Sequence, residues 1–70
     1  MKGLLKMTFE QTRGIAKERM DKQISYLSAD VITFKEALAS LSAYYSVGLF
    51  TDVDYFDFLL RIRQVAFENL

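Results

Sequence analysis

The stretch DVDYFDFLLRIRQVAFENL, residues 52–70, decides how this chain folds, because it is apolar around most of a helix. Its polar side chains recur at helical spacing and form one narrow stripe: Asp54, Asp57, Arg61, Gln64 and Glu68. A helix that is apolar over most of its circumference must be surrounded by other protein. Two short helices of the same chain cover only part of it, so we expect a second chain on the remainder.

The apolar positions of this helix fall into two flanks, each with two side chains one turn apart. Phe56 and Leu60 lie on one flank, and Phe58 and Ile62 lie on another. We expect one flank to face the core of the chain and the other to face a partner. We assign Phe58 and Ile62 to the partner.

The aromatic residues extend this predicted interface. The chain has six phenylalanines and four tyrosines, which is more than a three-helix core of this length can hide. Tyr44 and Tyr45 are adjacent, so both cannot point the same way. Aromatic side chains bury a large area at an interface and are often its energetic anchors. We therefore add Tyr44 and Tyr55 to Phe58 and Ile62 as predicted interface residues.

Three threonines mark the predicted helix starts. Each stands three residues before a side chain that can reach back to it: Thr8 with Gln11, Thr33 with Glu36, and Thr51 with Asp54. The first two are capping-box patterns, and the third is a looser version because Asp is shorter than Glu. These starts and the hydrophobic periodicity predict helices over about 9–26, 34–47 and 52–69. All three belong to a single predicted domain, residues 1–70.

Gly48 marks the predicted end of the second helix. It stands where a left-handed residue belongs, and Leu49 is placed for the apolar contact of a Schellman motif. The turn over residues 48–51 is short enough to fold helix three back on helix two. We therefore predict an all-α fold, a three-helix bundle with a C-terminal αα-hairpin, assembled as a homodimer through helix three.

Residues 38–60 carry a family resemblance. Leucines at 38 and 41 precede the string Gly48-Leu49-Phe50-Thr51-Asp52-Val53-Asp54-Tyr55. This string resembles the core of SHOCT, the short C-terminal domain of bacterial and phage proteins. The resemblance implies a small helical hairpin that serves oligomerisation or docking and has no catalytic residues. Tyr55 stands where that family usually has Phe, and Leu59-Leu60 stand in a region that is normally more basic.

Composition argues against catalysis and metal binding. The chain has no cysteine and no histidine, so it forms no disulfide and lacks the usual zinc ligands, thiol nucleophiles and acid–base catalysts. Its acidic cluster, Asp52, Asp54 and Asp57, suits the dipole at a helix start better than a metal cage. We expect no enzymatic activity and no cofactor. A chain of this size usually needs extra stabilisation, and self-association or well-formed helix packing remains as its source.

The charge pattern bears on nucleic-acid binding. Residues 1–22 carry six basic and three acidic side chains, whereas residues 23–70 carry three basic and six acidic ones. Arg13 and Lys17 form a possible basic face on helix one. Helix three opens with acids, which would repel phosphates from the position of a recognition helix. Nucleic-acid binding is therefore not expected, and it would depend on helix one if it occurred.

No apolar run approaches the roughly 20 residues that span a bilayer, and the start MKGLLKM lacks the apolar length of a signal peptide. We expect a cytoplasmic protein that does not enter a membrane. The predicted function is a small protein-interaction module, a regulator, adaptor or inhibitor of an unidentified host or cognate protein. The resemblance and the small size suggest a phage or mobile-element source. Two alternatives stay open: a small DNA-binding repressor or nucleoid accessory, and a pure oligomerisation module.

Overall fold

Three helices make up the described part of the chain. The structure, a computed structural model, describes residues 8–68 and contains α1 (Phe9–Ser28), α2 (Phe34–Ser46) and α3 (Asp52–Glu68). Within those residues there is no strand. The predicted all-α, three-helix fold is thus confirmed. The first helix runs two residues past its predicted end, and the predicted last residue of helix three lies outside the described residues.

Every helix begins with the capping box that the sequence predicts. The threonine hydroxyl accepts a hydrogen bond from the backbone N–H three residues on, and that residue's side chain accepts one from the threonine N–H. The paired distances are 3.0 and 2.9 Å for Thr8 with Gln11, 3.2 and 2.8 Å for Thr33 with Glu36, and 3.1 and 3.0 Å for Thr51 with Asp54. The bond from the Thr33 backbone holds the pKa of the Glu36 carboxyl below its ordinary value.

The end of α2 confirms the predicted role of Gly48. Gly48 has a φ of +84°. The Leu49 N–H donates to the Tyr44 carbonyl at 3.1 Å, and the Gly48 N–H donates to the Tyr45 carbonyl at 3.1 Å. These are the two hydrogen bonds of a Schellman motif, which satisfy carbonyls that the helix would otherwise leave unpaired.

The end of α1 repeats this geometry with an aspartate in place of glycine. Asp30 has a φ of +67°. The Val31 N–H donates to the Tyr26 carbonyl at 2.8 Å, and the Asp30 N–H donates to the Leu27 carbonyl at 3.1 Å. Aspartate is among the few residues other than glycine that occupy this conformation with some regularity. The sequence carries little sign of this cap, because the usual glycine is missing.

Two ion pairs fix the relative direction of α1 and α3. Arg13 pairs with Asp54 at 2.6 Å, near the start of both helices, and Asp21 pairs with Arg61 at 2.9 Å, farther along both. The two helices therefore run parallel. α2 packs against both of them.

The core draws on all three helices and on the second turn. Its buried members are Ala16, Met20, Ile24, Leu27, Ala37, Leu41, Phe50, Phe58 and Ile62. Met20, Leu41 and Ile62 are fully buried. The assignment of Phe58 and Ile62 to a partner is therefore wrong, because both pack inside their own chain. The flank that we assigned to the core is the exposed one, with Phe56 60% and Leu60 64% exposed.

Candidate interaction surface

Four large apolar side chains on α3 point to solvent. Val53 is 77% exposed, Phe56 60%, Leu60 64% and Phe67 74%. These side chains are three, four and seven residues apart, which is the spacing of the contact positions of a coiled coil. Arg63 occupies the one contact position in this series that is not apolar. We call these four residues the outer stripe.

The outer stripe lies on the side of α3 that faces away from the core. An α-helix has 3.6 residues per turn. Leu60 therefore points in the direction opposite to that of Phe58 and Ile62, which lie two positions before and after it. Leu59 and Val65, at the sides of the helix, are partly buried against the core. Within residues 8–68, the chain therefore covers the inner face and the sides of α3 but leaves its outer face open.

The outer stripe is long and large enough for a helix-sized contact. From Val53 to Phe67 it runs about 21 Å along the helix axis. The two phenylalanine rings alone expose roughly 250 Å² of apolar surface between them. Contiguous apolar patches of a few hundred Å² on a small protein commonly mark an interaction site.

Charged side chains are distributed unevenly along this face. Asp52 and Asp57 lie in the first half of α3, and Arg63 and Glu68 lie in the second half. The Tyr45 hydroxyl donates a hydrogen bond to Asp52 at 2.5 Å, and this bond raises the pKa of the Tyr45 phenol. The exposed face of α3 thus has an acidic first half and a second half that carries one cation and one acid.

Asp54 is turned toward α1 and is not part of the outer stripe. Its side chain, 14% exposed, accepts a 2.6 Å hydrogen bond from Arg13 and lies 3.4 Å from the Lys17 ammonium group. The Arg13 guanidinium, more than any other group, holds the pKa of the Asp54 carboxyl well below its usual range. The predicted basic face, Arg13 and Lys17, is therefore engaged by a carboxylate of the same chain.

The two predicted interface tyrosines lie at the margin of the core. The Tyr44 ring centroid is 5.4 Å from that of Phe50, and the Tyr55 ring centroid is 4.5 Å from that of Tyr45. Both tyrosines are partly buried and pack against the core. Of the four predicted interface residues, the structure brings none into the outer stripe. The heptad-like spacing of 53, 56, 60 and 67 is matched by that of 55, 58, 62 and 65 on the inner face, so the spacing alone does not identify the outer stripe.

An open apolar groove continues from one end of the outer stripe. It has a volume of about 960 Å³ and is lined mainly by apolar residues of the α1–α2 link and the end of α3, including Val31, Phe34 and Phe67. Phe67 borders both features. The groove lies at the end of the bundle where α1 ends and α2 begins.

Within residues 8–68, no group of acidic side chains is placed to hold a metal ion. No helix in that range is long and apolar enough to cross a bilayer. In comparisons with protein-family models, curated proteins and solved structures, nothing matches the chain. The SHOCT resemblance of residues 38–60 therefore stays a prediction.

Proposed function

We propose that this chain is a small non-enzymatic protein-interaction module, a regulator, adaptor or inhibitor that works by covering a surface of another protein. The outer stripe of α3 is the observation that carries this proposal. Four large apolar side chains, each at least 60% exposed, occupy one face of a helix that is otherwise well packed. Their burial by a protein partner would be favourable at roughly 25 cal/mol per Å² of apolar surface.

The proposal includes a structural arrangement that serves this contact. α2 and α3 act as an αα-hairpin that presents the outer stripe, and the module is dimeric. A cytoplasmic setting and a bacterial, phage or mobile-element source belong to the same proposal. They rest on the composition and the SHOCT resemblance alone.

The DNA-binding alternative has less support. It depends on Arg13 and Lys17, and both lie against Asp54. A cation that already pairs with a carboxylate releases fewer counterions when it meets a phosphate, so it adds less to the affinity. We therefore expect no gel shift of duplex DNA at low micromolar protein and physiological salt.

Site-specific photo-crosslinking tests the proposed function. Benzoylphenylalanine replaces Phe56 in one variant and Tyr26, an aromatic residue of α1 that is 47% exposed, in the control variant. Both are irradiated in a lysate of cells that naturally express the chain. The proposal predicts adducts with a different protein from position 56, weak or different adducts from position 26, and loss of the position-56 adducts when Leu60→Glu is added. Equal adducts from both positions, or none, would contradict it.

A further inference from the structure

The outer stripe has a near-symmetry that points to its occupant. Val53 and Phe67 lie seven residues on either side of Leu60, and Asp57 and Arg63 lie three residues on either side. Leu60 is thus the midpoint of these two pairs but not of the whole face, because Phe56 has no apolar counterpart at position 64. A two-fold axis through such a midpoint pairs each half of a helix with the opposite half of its copy.

We propose that the outer stripe binds a second copy of this chain, with the two α3 helices antiparallel and Leu60 on the two-fold axis. This inference rests on the proposed function, since it names one partner of the same surface. In this arrangement Val53 of each copy packs on Phe67 of the other. The two Leu60 side chains meet at the centre.

Charge complementarity selects the antiparallel orientation. Arg63 of one copy lies level with Asp57 of the other and next to the second copy's Phe56. The guanidinium can therefore approach a carboxylate and lie over an aromatic ring, both of which are favourable. The helix dipoles also oppose each other in this orientation, which favours it, whereas Asp52 of each copy lies level with Glu68 of the other, which disfavours it.

The parallel orientation has the opposite electrostatics. It would place Arg63 against Arg63 in a contact layer and bring the acidic starts of both helices together. Asp52 and Asp57 of one copy would lie level with the same residues of the other. Like charges at such positions disfavour an assembly and are used in natural interfaces to exclude it.

The ion pairs that α3 makes within its own chain lie away from the outer stripe and leave room for this contact. Asp54 and Arg61 are held against α1 by ion pairs with Arg13 and Asp21. Their side chains are therefore directed away from the outer face. Neither α1 nor α2 of the same chain covers the outer stripe, so a second α3 can approach along its whole length.

Disulfide trapping tests the orientation, and the chain suits the method because it has no cysteine. Val53→Cys and Phe67→Cys are oxidised separately and as a mixture, with Ala39→Cys on the exposed surface of α2 as the control. The antiparallel dimer predicts that the mixed disulfide, which joins position 53 of one copy to position 67 of the other, forms about 100-fold faster than the control disulfide, since the contact raises the effective concentration from about 10 μM to roughly 1 mM. Mass spectrometry distinguishes the mixed product from the two homodisulfides.

Two results would overturn the inference. Rapid homodisulfides of Val53→Cys and of Phe67→Cys, each alone, would show a parallel pair. Rates equal to that of Ala39→Cys would show that the copies do not meet on this face. Circular dichroism of each variant confirms that the helices remain, which we expect because all three positions are exposed.

The trapping and photo-crosslinking experiments can fail independently. If position 56 gives adducts with a different protein while the cysteine variants show no preferred pairing, the proposed function stands and the self-association is wrong. If the mixed disulfide forms and position 56 captures only a second copy, the self-association stands. The chain is then an oligomerisation module without an external partner.

Discussion

The inner and outer faces of α3 have similar composition but opposite surroundings. Phe58 and Ile62 on the inner face are 5% and 0% exposed, whereas Phe56 and Leu60 on the outer face are 60% and 64% exposed. Each face presents a phenylalanine and an aliphatic residue one turn apart. The difference shows that hydrophobicity alone does not determine which face of a short helix enters the core.

Polar contacts at the edges of α3 account for its rotation. Asp54 is positioned by Arg13 and by its capping box with Thr51, and Arg61 pairs with Asp21 while its guanidinium lies 5.2 Å from the Phe58 ring centroid. These contacts direct the inner face toward α1 and α2. The outer face has no such contacts within the described residues other than the bond from Tyr45 to Asp52, beside the stripe.

Truncating one residue on each face should give the largest contrast. Ile62→Ala removes a fully buried side chain and leaves a cavity, which lowers the free energy of unfolding by about 2–5 kcal/mol. Leu60→Ala on the outer face should lower it by less than about 0.5 kcal/mol. Urea denaturation followed by circular dichroism, at the lowest usable protein concentration, measures both. Equal losses would mean that the two faces are packed alike.

Removing the charge that seats α3 against α1 should have a smaller effect. Asp54→Asn keeps the shape of the side chain but weakens its cap and its contacts with Arg13 and Lys17. We expect a loss of about 1–2 kcal/mol from a weakened cap and a broken ion pair. The matched control is Asp57→Asn, an exposed acid of the same helix, which should cost the monomer little. Similar losses from both would show that Asp54 does not orient the helix.

The same carboxyl predicts a pH dependence. Its pKa is lower in the folded chain than the ordinary value, so the stabilisation is present above the unfolded-state pKa near 4. It is lost as the pH falls below that value toward the folded-state pKa. Wild-type protein should therefore lose more stability than Asp54→Asn between pH 5 and pH 3. Parallel pH profiles of the two proteins in denaturant titrations would contradict this assignment.

The turn that leads into α3 should respond to a β-branched residue. Gly48→Val introduces a side chain at a φ of +84°, where no atom lies within 4 Å of the new Cβ, so the cost is backbone strain. We expect a loss of at least about 1 kcal/mol. Gly14→Ala, inside α1 with equally open space around it, should instead stabilise the chain by about 0.5–1 kcal/mol. An unchanged melting temperature for Gly48→Val would rule out a left-handed cap.

The smallest expected effect is at the second ion pair. The side chains of Arg61 and Asp21 are 43% and 56% exposed, so their attraction is largely screened by solvent. Asp21→Ala should therefore lower the free energy of unfolding by only a few tenths of a kcal/mol. A loss above about 1 kcal/mol, read from the same denaturation curves, would show that this pair holds α3 in place more strongly than its exposure allows.

Local sequence signals predicted the helices well. The three threonine capping boxes and Gly48 depend on residues close in sequence, and each has the predicted hydrogen bonds. The end of α1 is harder to predict from the sequence, because Asp30 adopts a conformation that is usually reserved for glycine.

The rotation of α3 could not be predicted by the same means. It depends mainly on Arg13 of α1, which is 41 residues away from its partner Asp54, and only weakly on the exposed pair of Asp21 with Arg61. Since both flanks of α3 are apolar, the pattern itself carried no preference. The assignment of Phe58 and Ile62 to a partner is wrong because the sequence does not show these long-range contacts. The prediction of a basic face at Arg13 and Lys17 misses their pairing with Asp54 for the same reason.

Light scattering of three proteins tests the central claim, that the outer stripe of α3 is an interface between copies. The proteins are the wild type, Leu60→Glu, and Ala39→Glu as a control that adds the same charge to the exposed surface of α2. At tens of micromolar, we predict a mass of twice 8.1 kDa for the wild type and Ala39→Glu, and 8.1 kDa for a folded Leu60→Glu. A wild-type mass of 8.1 kDa, or a dimer that survives Leu60→Glu, would contradict the account.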